Sequence, residues 1–592
     1  MYKYCDGIND RGGQKIFDRS LWCSIAAVVI ACAWLLPNHH LPWLSFHSDA
    51  WIAVSLAVVT GVLLVFNRAR VYWTKTAFVV LLAIALVFGQ YFFGAIIFAG
   101  DMWVSLLYLG GLLVALLISD SLVRQRQWLL VDVLFGAIGV AAIISVGLQL
   151  YQWFGMTRFG AVTDIWVLDL VGGRPYANLG QPNQLATLLV WGLVAIGWAA
   201  LRGVVRTGVF LMCSTFILFG LALTQSRTAW LVVICLVVGA WIFRRAWSNS
   251  RTPLLITVLG GLFFLFVFSI EPISRLLYLE GYDLGGRASA GLVVRPLAWW
   301  MFLDAIFAAP WFGYGWNQTL LAQVAVIDSH EKLYGLSFSQ AHNLLVDLLV
   351  WTGIPLGLML IVALVVWYIH VFKKIESEMQ VLLLFAVTTV GVHAMLEFPL
   401  HYAYFLLPTG VFVGSLCGSL QQRALFVLNW KAVAFIWLVC ALGLAITVHE
   451  YLKIEENFFA LRFEMRRIGT GGAAATPEVF MLDQLRENLR FARLEIDDGV
   501  DGENLAWMRR VVNRYPSALN MTKFSEALGR GGEHEEATYW LGRICMLVSE
   551  DECAIAQRVW LARQEEVGEL AGIQWPPEFD SEGNRGQGNR VE

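Results

Sequence analysis

The chain has 592 residues, is 58% hydrophobic and only 15% charged, and carries a mean hydropathy of +0.63 and a formal net charge of −3. Soluble proteins carry about 25% charged residues, so a wholly water-soluble chain is excluded. No nucleic-acid partner is expected of so weak a charge.

Residues 1–19 form a leading segment with Lys3, Arg11, Lys15 and Arg19 ahead of the first apolar run. That is the pattern of a signal anchor, and without an obvious small-residue cleavage site it is expected to be retained. Apolar runs of roughly 17–25 residues then recur to about Val448, each long enough to cross a hydrocarbon core of about 30 Å. They are continuous rather than alternating, which predicts helices. They fall near 20–37, 50–66, 76–93, 103–119, 128–148, 184–201, 206–223, 229–244, 253–270, 343–369, 379–396, 403–419 and 432–448. The predicted fold is all-α. A polytopic membrane domain of about 13 transmembrane helices covers 20–448, with exported loops at 150–183 and 271–342. Within the second loop, Val294–Phe312 is apolar and Trp-rich but interrupted by Pro296 and Pro310. It reads as an interfacial helix, with a fourteenth span as the alternative.

Charge sets the orientation. If the N-terminus is cytoplasmic, the inside loops hold Arg68/Arg70/Lys75, Arg124/Arg126, Arg202/Arg206, Arg244/Arg245/Arg251, Lys373/Lys374 and Arg423/Lys431. The outside turns at 38–49, 94–102 and 397–402 hold no Lys or Arg. This is the positive-inside distribution, and an odd number of spans exports the tail. From His449 onward the chain has 17 basic and 26 acidic residues. Residues 449–575 read as a soluble helical domain. The stretch Phe524 to Leu541 resembles a tetratricopeptide helix pair, with Ala527 and Ala537 at packing positions. Residues 576–592 are polar, Gly-rich and expected to be disordered. Seven cysteines lie in or near spans or in the N-terminal segment. The other two, Cys545 and Cys553, are candidates for a disulfide in an oxidising compartment, with two free thiols as the alternative.

The polar residues that remain are concentrated on the exported side. His39, His40 and His47 lack carboxylates at ligand spacing; they read as solvated, and no metal site is expected. The loop 150–183 ends in an amide-rich turn, Asn178, Gln181, Asn183 and Gln184, suited to sugar hydroxyls or phosphate. Helix capping with Asn183 as N-cap is the structural alternative. Arg227, in Thr224-Gln-Ser-Arg-Thr, must lie at the outer face, because Arg206 and Arg244 are both inside and 38 residues apart. It either snorkels to headgroups or holds an anion. In the long loop Arg287 and Arg295 flank Gly285, Gly286 and Gly291, which would let an anion approach the backbone. Arginine's planar fork matches phosphate oxygens. His342 stands one residue before Asn343 and the next span; a neutral imidazole there is suited to taking a hydroxyl proton. Glu397, His401, Tyr402 and Tyr404 form another polar cluster. Glu397 is a carboxylate in an apolar run and a candidate partner for an arginine or for His342. There is no Walker loop and no dinucleotide fingerprint, so no cofactor is expected.

Three stretches together resemble the O-antigen ligase superfamily of bacterial inner-membrane glycosyltransferases. They are Thr224-Gln-Ser-Arg227, the long loop with Arg287, Arg295, Trp299/Trp300 and Pro310-Trp-Phe-Gly-Tyr-Gly-Trp, and Gln340-Ala-His342-Asn343. Asn178-Leu-Gly-Gln-Pro-Asn-Gln-Leu-Ala and Glu397-Phe-Pro-Leu-His-Tyr-Ala-Tyr-Phe are similar to the PglL-type protein O-oligosaccharyltransferases. The resemblance spans about 150–420. It implies a glycan on undecaprenyl pyrophosphate, transferred on the periplasmic side without metal or nucleotide. Arg227 and either Arg287 or Arg295 would bind the pyrophosphate, and His342 would be the base. The acceptor would be a Ser/Thr of a periplasmic, pilin-like protein. The alternatives are a glycolipid or a growing polysaccharide, as for a lipid A-core ligase or polymerase. A transporter or flippase of an anionic lipid is the rival of another class; it should show internal repeats or broken helices, and neither is visible in the sequence.

Overall fold

A computed structural model describes residues 19–66, 68, 70–159, 165–170, 173–279, 286–468, 474–496 and 502–579, without side-chain detail for 19–20, 158–159, 286–293 and 578. Most of the N-terminal segment, Gly285, the Arg287 side chain and the tail from 580 lie outside the described residues.

Helices occupy all 13 predicted positions. Eight of them are long and apolar enough to cross a bilayer, from Phe46–Phe66 to Trp430–Met465. The other five, among them Thr207–Leu223 and Arg227–Ile242, are shorter. The chain is a multi-pass membrane protein, mostly helical, and it divides into two compact units.

The first unit comprises 1–85, 106–289 and 362–446. Its central helix is Pro182–Leu201, packed on Leu129–Trp153, Thr207–Leu223 and Glu378–Ala394. The most apolar window of that central helix is 72% buried, against 28% for Thr252–Leu276, which therefore offers its surface to lipid. Phe268, Leu265 and Val258 stand exposed there, a surface that would aggregate in water but suits acyl chains. Ion pairs sit where basic loops were expected: Arg202 makes a two-pronged contact with Asp132 at 2.6 and 3.0 Å, and Arg124 bonds Asp120 at 2.7 Å. The all-α expectation needs one amendment. Val71–Thr74 pairs antiparallel with Ala424–Leu428, Val71 opposite Leu428. These β-branched and aromatic runs adjoin spans but are too short to be spans themselves.

The second unit comprises 86–105, 290–361 and 447–592, so most of the long loop and the tail share one body. Helix Gly286–Ala308 begins eight residues before the predicted Trp-rich segment and runs through Pro296. It ends ahead of Pro310. Gly291 lies within it, where a backbone N–H serves the helix rather than an anion. Trp300, Leu303 and Phe307 expose one face while Met301, Phe302 and Ala305 are buried, an amphipathic arrangement.

Helix Leu344–Lys373 is broken at Gly353, which has φ +74° and ψ 175°, two residues before Pro355. The break is not visible in the sequence, because Gly and Pro inside an apolar run leave its hydropathy unchanged. The interruption frees carbonyls that must be satisfied locally. Tyr314 N–H donates to Val350 O at 2.9 Å and Gly315 N–H to Trp351 O at 3.1 Å, while Ile354 N–H returns to Pro310 O at 2.7 Å. Gln90 donates to Trp351 O at 2.7 Å and accepts from Trp316 N–H at 2.9 Å. The motif Pro310–Trp316 is thus a backbone patch over the break.

The tail contributes helices Asp483–Arg493, Gly502–Arg514, Ala518–Arg530, His534–Leu547 and Glu550–Glu566. Ala518–Arg530 and His534–Leu547 pack as a pair, with Ala527 and Ala537 fully buried and Phe524 edge-on to Trp540 at 5.7 Å. Cys545 and Cys553 are joined by a disulfide. Order continues past the expected boundary at 576, with a short turn at Pro577–Phe579. Arg514 clasps Asp101, in the first turn of helix Ala99–Arg124, at 2.8–3.1 Å, and Arg510 donates to Ile97 O at 2.7 Å. Arg543 holds Asp328 of the loop with two bonds of 2.6 and 2.7 Å.

The bonds from Arg543 hold the Asp328 carboxyl below its usual range. A depressed carboxylate contributes stability that is present above its unfolded value, about 3.9, and lost as pH falls through the folded value. Thermal unfolding followed from pH 7 to about 3 should therefore show the second unit weakening at the acid end. D328N should remove that portion of the acid sensitivity. An unchanged acid limb in D328N would refute the assignment.

Candidate functional site

In the first unit the amide-rich turn, the Arg227 turn and the Glu397 cluster meet. Asn183 Nδ2 donates to Glu397 Oε1 at 3.0 Å, and Ser226 Oγ donates to Asn183 Oδ1 at 2.7 Å. Ser226 also accepts from Ala229 N–H as N-cap of Arg227–Ile242. Arg227 is the first residue of that helix and is exposed. Gln225 turns the chain with φ +47°. Arg174 braces the same turn: its Nε donates to Thr224 O at 2.9 Å, and an Nη lies 3.5 Å from Asn183 Oδ1. One exposed and one half-buried guanidinium therefore belong to the turn around Asn183, with the buried Glu397 carboxylate on the far side of that amide.

Not every amide of the turn is available. Asn178 is 2% exposed and donates to Leu35 O at 2.7 Å and Trp166 O at 2.8 Å, while accepting from Leu168 N–H at 3.1 Å. It ties loops together. Gln184 donates to Gln181 Oε1 at 2.8 Å and accepts from Tyr404 at 2.6 Å. Asn183 is not an N-cap: Gln181 holds that position, because Pro182 takes the first helical place, which its fixed φ and missing N–H suit. That leaves Asn183 to the polar network. His401 closes a short turn at Pro399–His401, and Tyr402 stacks on Tyr404 at 5.2 Å. His39 is not solvated, as the sequence suggested. It is hydrogen-bonded to Asn178 O at 2.8 Å, and burial pushes its imidazole below the usual range. Its partner lies 139 residues away, beyond any local pattern.

The second unit holds His342, Asn343 and Arg295. His342 adopts φ +53°, a left-handed conformation unusual for a side-chain-bearing residue. Asn343 Oδ1 accepts from Leu345 and Val346 N–H at 3.0 and 3.4 Å and so caps the span. Asp347, 1% exposed, accepts Ala341 N–H at 2.9 Å and the Thr319 hydroxyl at 3.3 Å. Trp351 Nε1 donates to Thr319 at 2.7 Å, and Trp299 Nε1 donates to Ala341 O at 2.9 Å. Both backbone groups of Ala341, the residue before His342, are thereby pinned. Phe338 lies edge-on to the imidazole, ring centres 6.4 Å apart. Arg295, half-buried, is the tenth residue of Gly286–Ala308 rather than the start of a segment. Arg275, by contrast, pairs with Glu271 on its own helix.

Two residues escaped the sequence reading. Asp347 is a carboxylate in an apolar run five residues after His342, the same signal that singled out Glu397. Arg174 is a cation on the loop that carries the amides, the signal applied to Arg227. Among the described residues no group of His, Cys, Asp or Glu is placed to hold a metal ion.

Comparison with known proteins covers the same stretches. Residues 175–199 match the family model described as protein glycosylation ligase, and 209–362 the O-antigen ligase model. Residues 379–562 match the C-terminal model of virulence factor membrane-bound polymerases, which takes in the Glu397 cluster and most of the tail. The chain is 26% identical over 547 residues to a general O-oligosaccharyltransferase of Acinetobacter baylyi, covering 90% of this chain and 93% of that protein. It is 25% identical over 518 residues to a ComP-specific O-oligosaccharyltransferase of the same organism, covering 84% and 89%. The chain is similar to the O-antigen ligase superfamily and, within it, to the protein O-oligosaccharyltransferases, as its motifs indicated.

Proposed function

We infer that this chain is a glycosyltransferase, an O-linked oligosaccharyltransferase that takes a glycan from a lipid-linked donor and joins it to protein. The observation that carries this reading is the similarity, along nine-tenths of the chain, to a general O-oligosaccharyltransferase. In the finer reading the donor is undecaprenyl pyrophosphate in the bacterial inner membrane and the acceptor a Ser or Thr hydroxyl of a periplasmic, pilin-like protein. The N-terminus is cytoplasmic, all 13 helices cross, and the tail, a tetratricopeptide-like domain, is periplasmic.

Arg227 with Arg295, or Arg287 in its stead, neutralises the diphosphate, the role fixed cations play toward a leaving group's developing charge. His342 accepts the hydroxyl proton as the oxygen bonds to the anomeric carbon. The bond from that carbon to the diphosphate breaks, and undecaprenyl pyrophosphate departs with the electron pair. In-line attack inverts the centre. Asn183, Gln181 and the Glu397, His401 and Tyr402 cluster line the donor's polar end.

Arg174→Ala should raise the donor KM more than it lowers kcat, since it removes a support of the Arg227 turn without touching the base. Steady-state transfer with varied donor checks this, and an unchanged KM would count against it. The polymerase-type match at 379–562 favours a second reading, in which a sugar hydroxyl is the acceptor. Co-expression with a lipid-linked glycan and candidate acceptors, read by intact-protein mass, separates the readings. Glycan on protein supports the first, glycan only on lipopolysaccharide a ligase, and lengthened chains a polymerase.

A further inference from the structure

The loop before His342 is held from behind by the tail, and the connections run in two lines. In one, Arg543, 3% exposed, sits on the Tyr539 ring at 3.9 Å and grips Asp328 with both arms. Asp328 lies in the turn that follows helix Thr319–Val326. That helix presents Thr319 to Asp347, which holds Ala341 N–H. In the other, Met546 O accepts Gly335 N–H at 3.1 Å. The next segment is fastened by Gln323, which donates to Leu336 O at 2.7 Å and accepts from Phe338 N–H at 2.7 Å. Four residues further stands His342. Arg543 and Met546 flank Cys545 on helix His534–Leu547, and the disulfide to Cys553 ties that helix to the start of Glu550–Glu566.

We propose that Arg543 is a positioning residue for His342, acting through Asp328 and the Thr319–Asp347 link, and that the Cys545–Cys553 disulfide keeps its helix in place. The proposal rests on the reading of His342 as the base. Catalysis is sensitive to displacements of about 1 Å, which can cost about 100-fold in rate. His342 has an uncommon backbone conformation that only surrounding contacts can maintain. A tail that braces the loop has an effect on turnover distinct from any role in recruiting an acceptor.

The test uses the full chain in membranes with a lipid-linked glycan and a Ser/Thr-bearing acceptor. R543A should lower kcat about 10- to 100-fold with donor and acceptor KM little changed. The charge swap D328R/R543D should restore most of the loss. C545S/C553S should lower kcat as well, and adding R543A to it should cost less than R543A alone costs, as expected of residues that act in series. An unchanged kcat in R543A, or a swap that restores nothing, overturns the proposal. Should R543A fail to accumulate, R543K carries the same test, because it keeps the charge and loses the two-armed grip. Hydrogen exchange across 319–343 separates this proposal from the reading beneath it. If H342A turns over fully, the base assignment fails, yet faster exchange in R543A would still support the brace. Unchanged protection would overturn it.

Discussion

Replacing His342 with alanine is expected to abolish measurable glycan transfer while leaving the protein folded and its lipid donor bound. General-base contributions are typically about 10²- to 10⁴-fold, and a loss at the upper end falls below detection by intact mass. The side chain is half-buried, and the backbone around it is pinned by Asp347, Trp299 and Asn343. Asp347→Asn keeps an acceptor for Ala341 N–H but replaces the carboxyl with an amide. It should give an intermediate loss in kcat at constant KM. Asp347→Ala removes the acceptor too, leaving Ala341 N–H buried and unsatisfied, at a cost of about 1–3 kcal/mol, and should lower stability as well. The order wild type, D347N, H342A in kcat is the outcome sought. Full transfer by H342A would sink the base assignment, and full transfer by D347N would show that the carboxyl itself is not required. Continued lipid translocation by an H342A protein that transfers nothing would reopen the flippase reading.

Much of this molecule was visible in sequence because bilayer crossing depends on run length and apolarity, which need no partner. Hence all thirteen helix positions were readable. Ends were less so: Trp430–Met465 continues well past the expected span because polar residues beyond Val448 still favour a helix. What stayed hidden depends on partners far along the chain. Asn178 looks like a sugar ligand until Leu35, 143 residues away, takes its amide hydrogen. His39 looks solvated until Asn178 O meets it. The Arg227, Asn183 and Glu397 regions were each named from local chemistry, but only folding shows Asn183 bonded to Ser226 and Glu397 at once. Asp347 carries the same local signal as Glu397, but its role shows only in the fold, where it holds Ala341 N–H and the Thr319 hydroxyl.

The break in Leu344–Lys373 carries the second large prediction. Gly353→Ala should prevent accumulation of the folded protein, whereas Gly261→Ala in Thr252–Leu276 should leave it unaffected. A Cβ on Gly353 would lie 2.6 Å from Trp311 backbone atoms and 2.7 Å from Phe312 N, positions that no side-chain motion relieves. The φ +74°, ψ 175° region is essentially open to glycine alone and costs another residue about 1–3 kcal/mol before any clash. The reciprocal contact is as tight: at Gly313, φ +66°, a Cβ would meet Val350 O at 2.5 Å and Gly353 N at 2.6 Å. Pushing these backbones apart would also strip Val350 O and Trp351 O of Tyr314 and Gly315 N–H, and unpaired carbonyls in an apolar setting cost several kcal/mol. At Gly261 nothing lies within 4 Å. Membrane levels and thermal unfolding in detergent check both variants. Comparable behaviour of G353A and G261A would mean that the break is not glycine-dependent, and that Pro310–Trp316 does not serve as its patch.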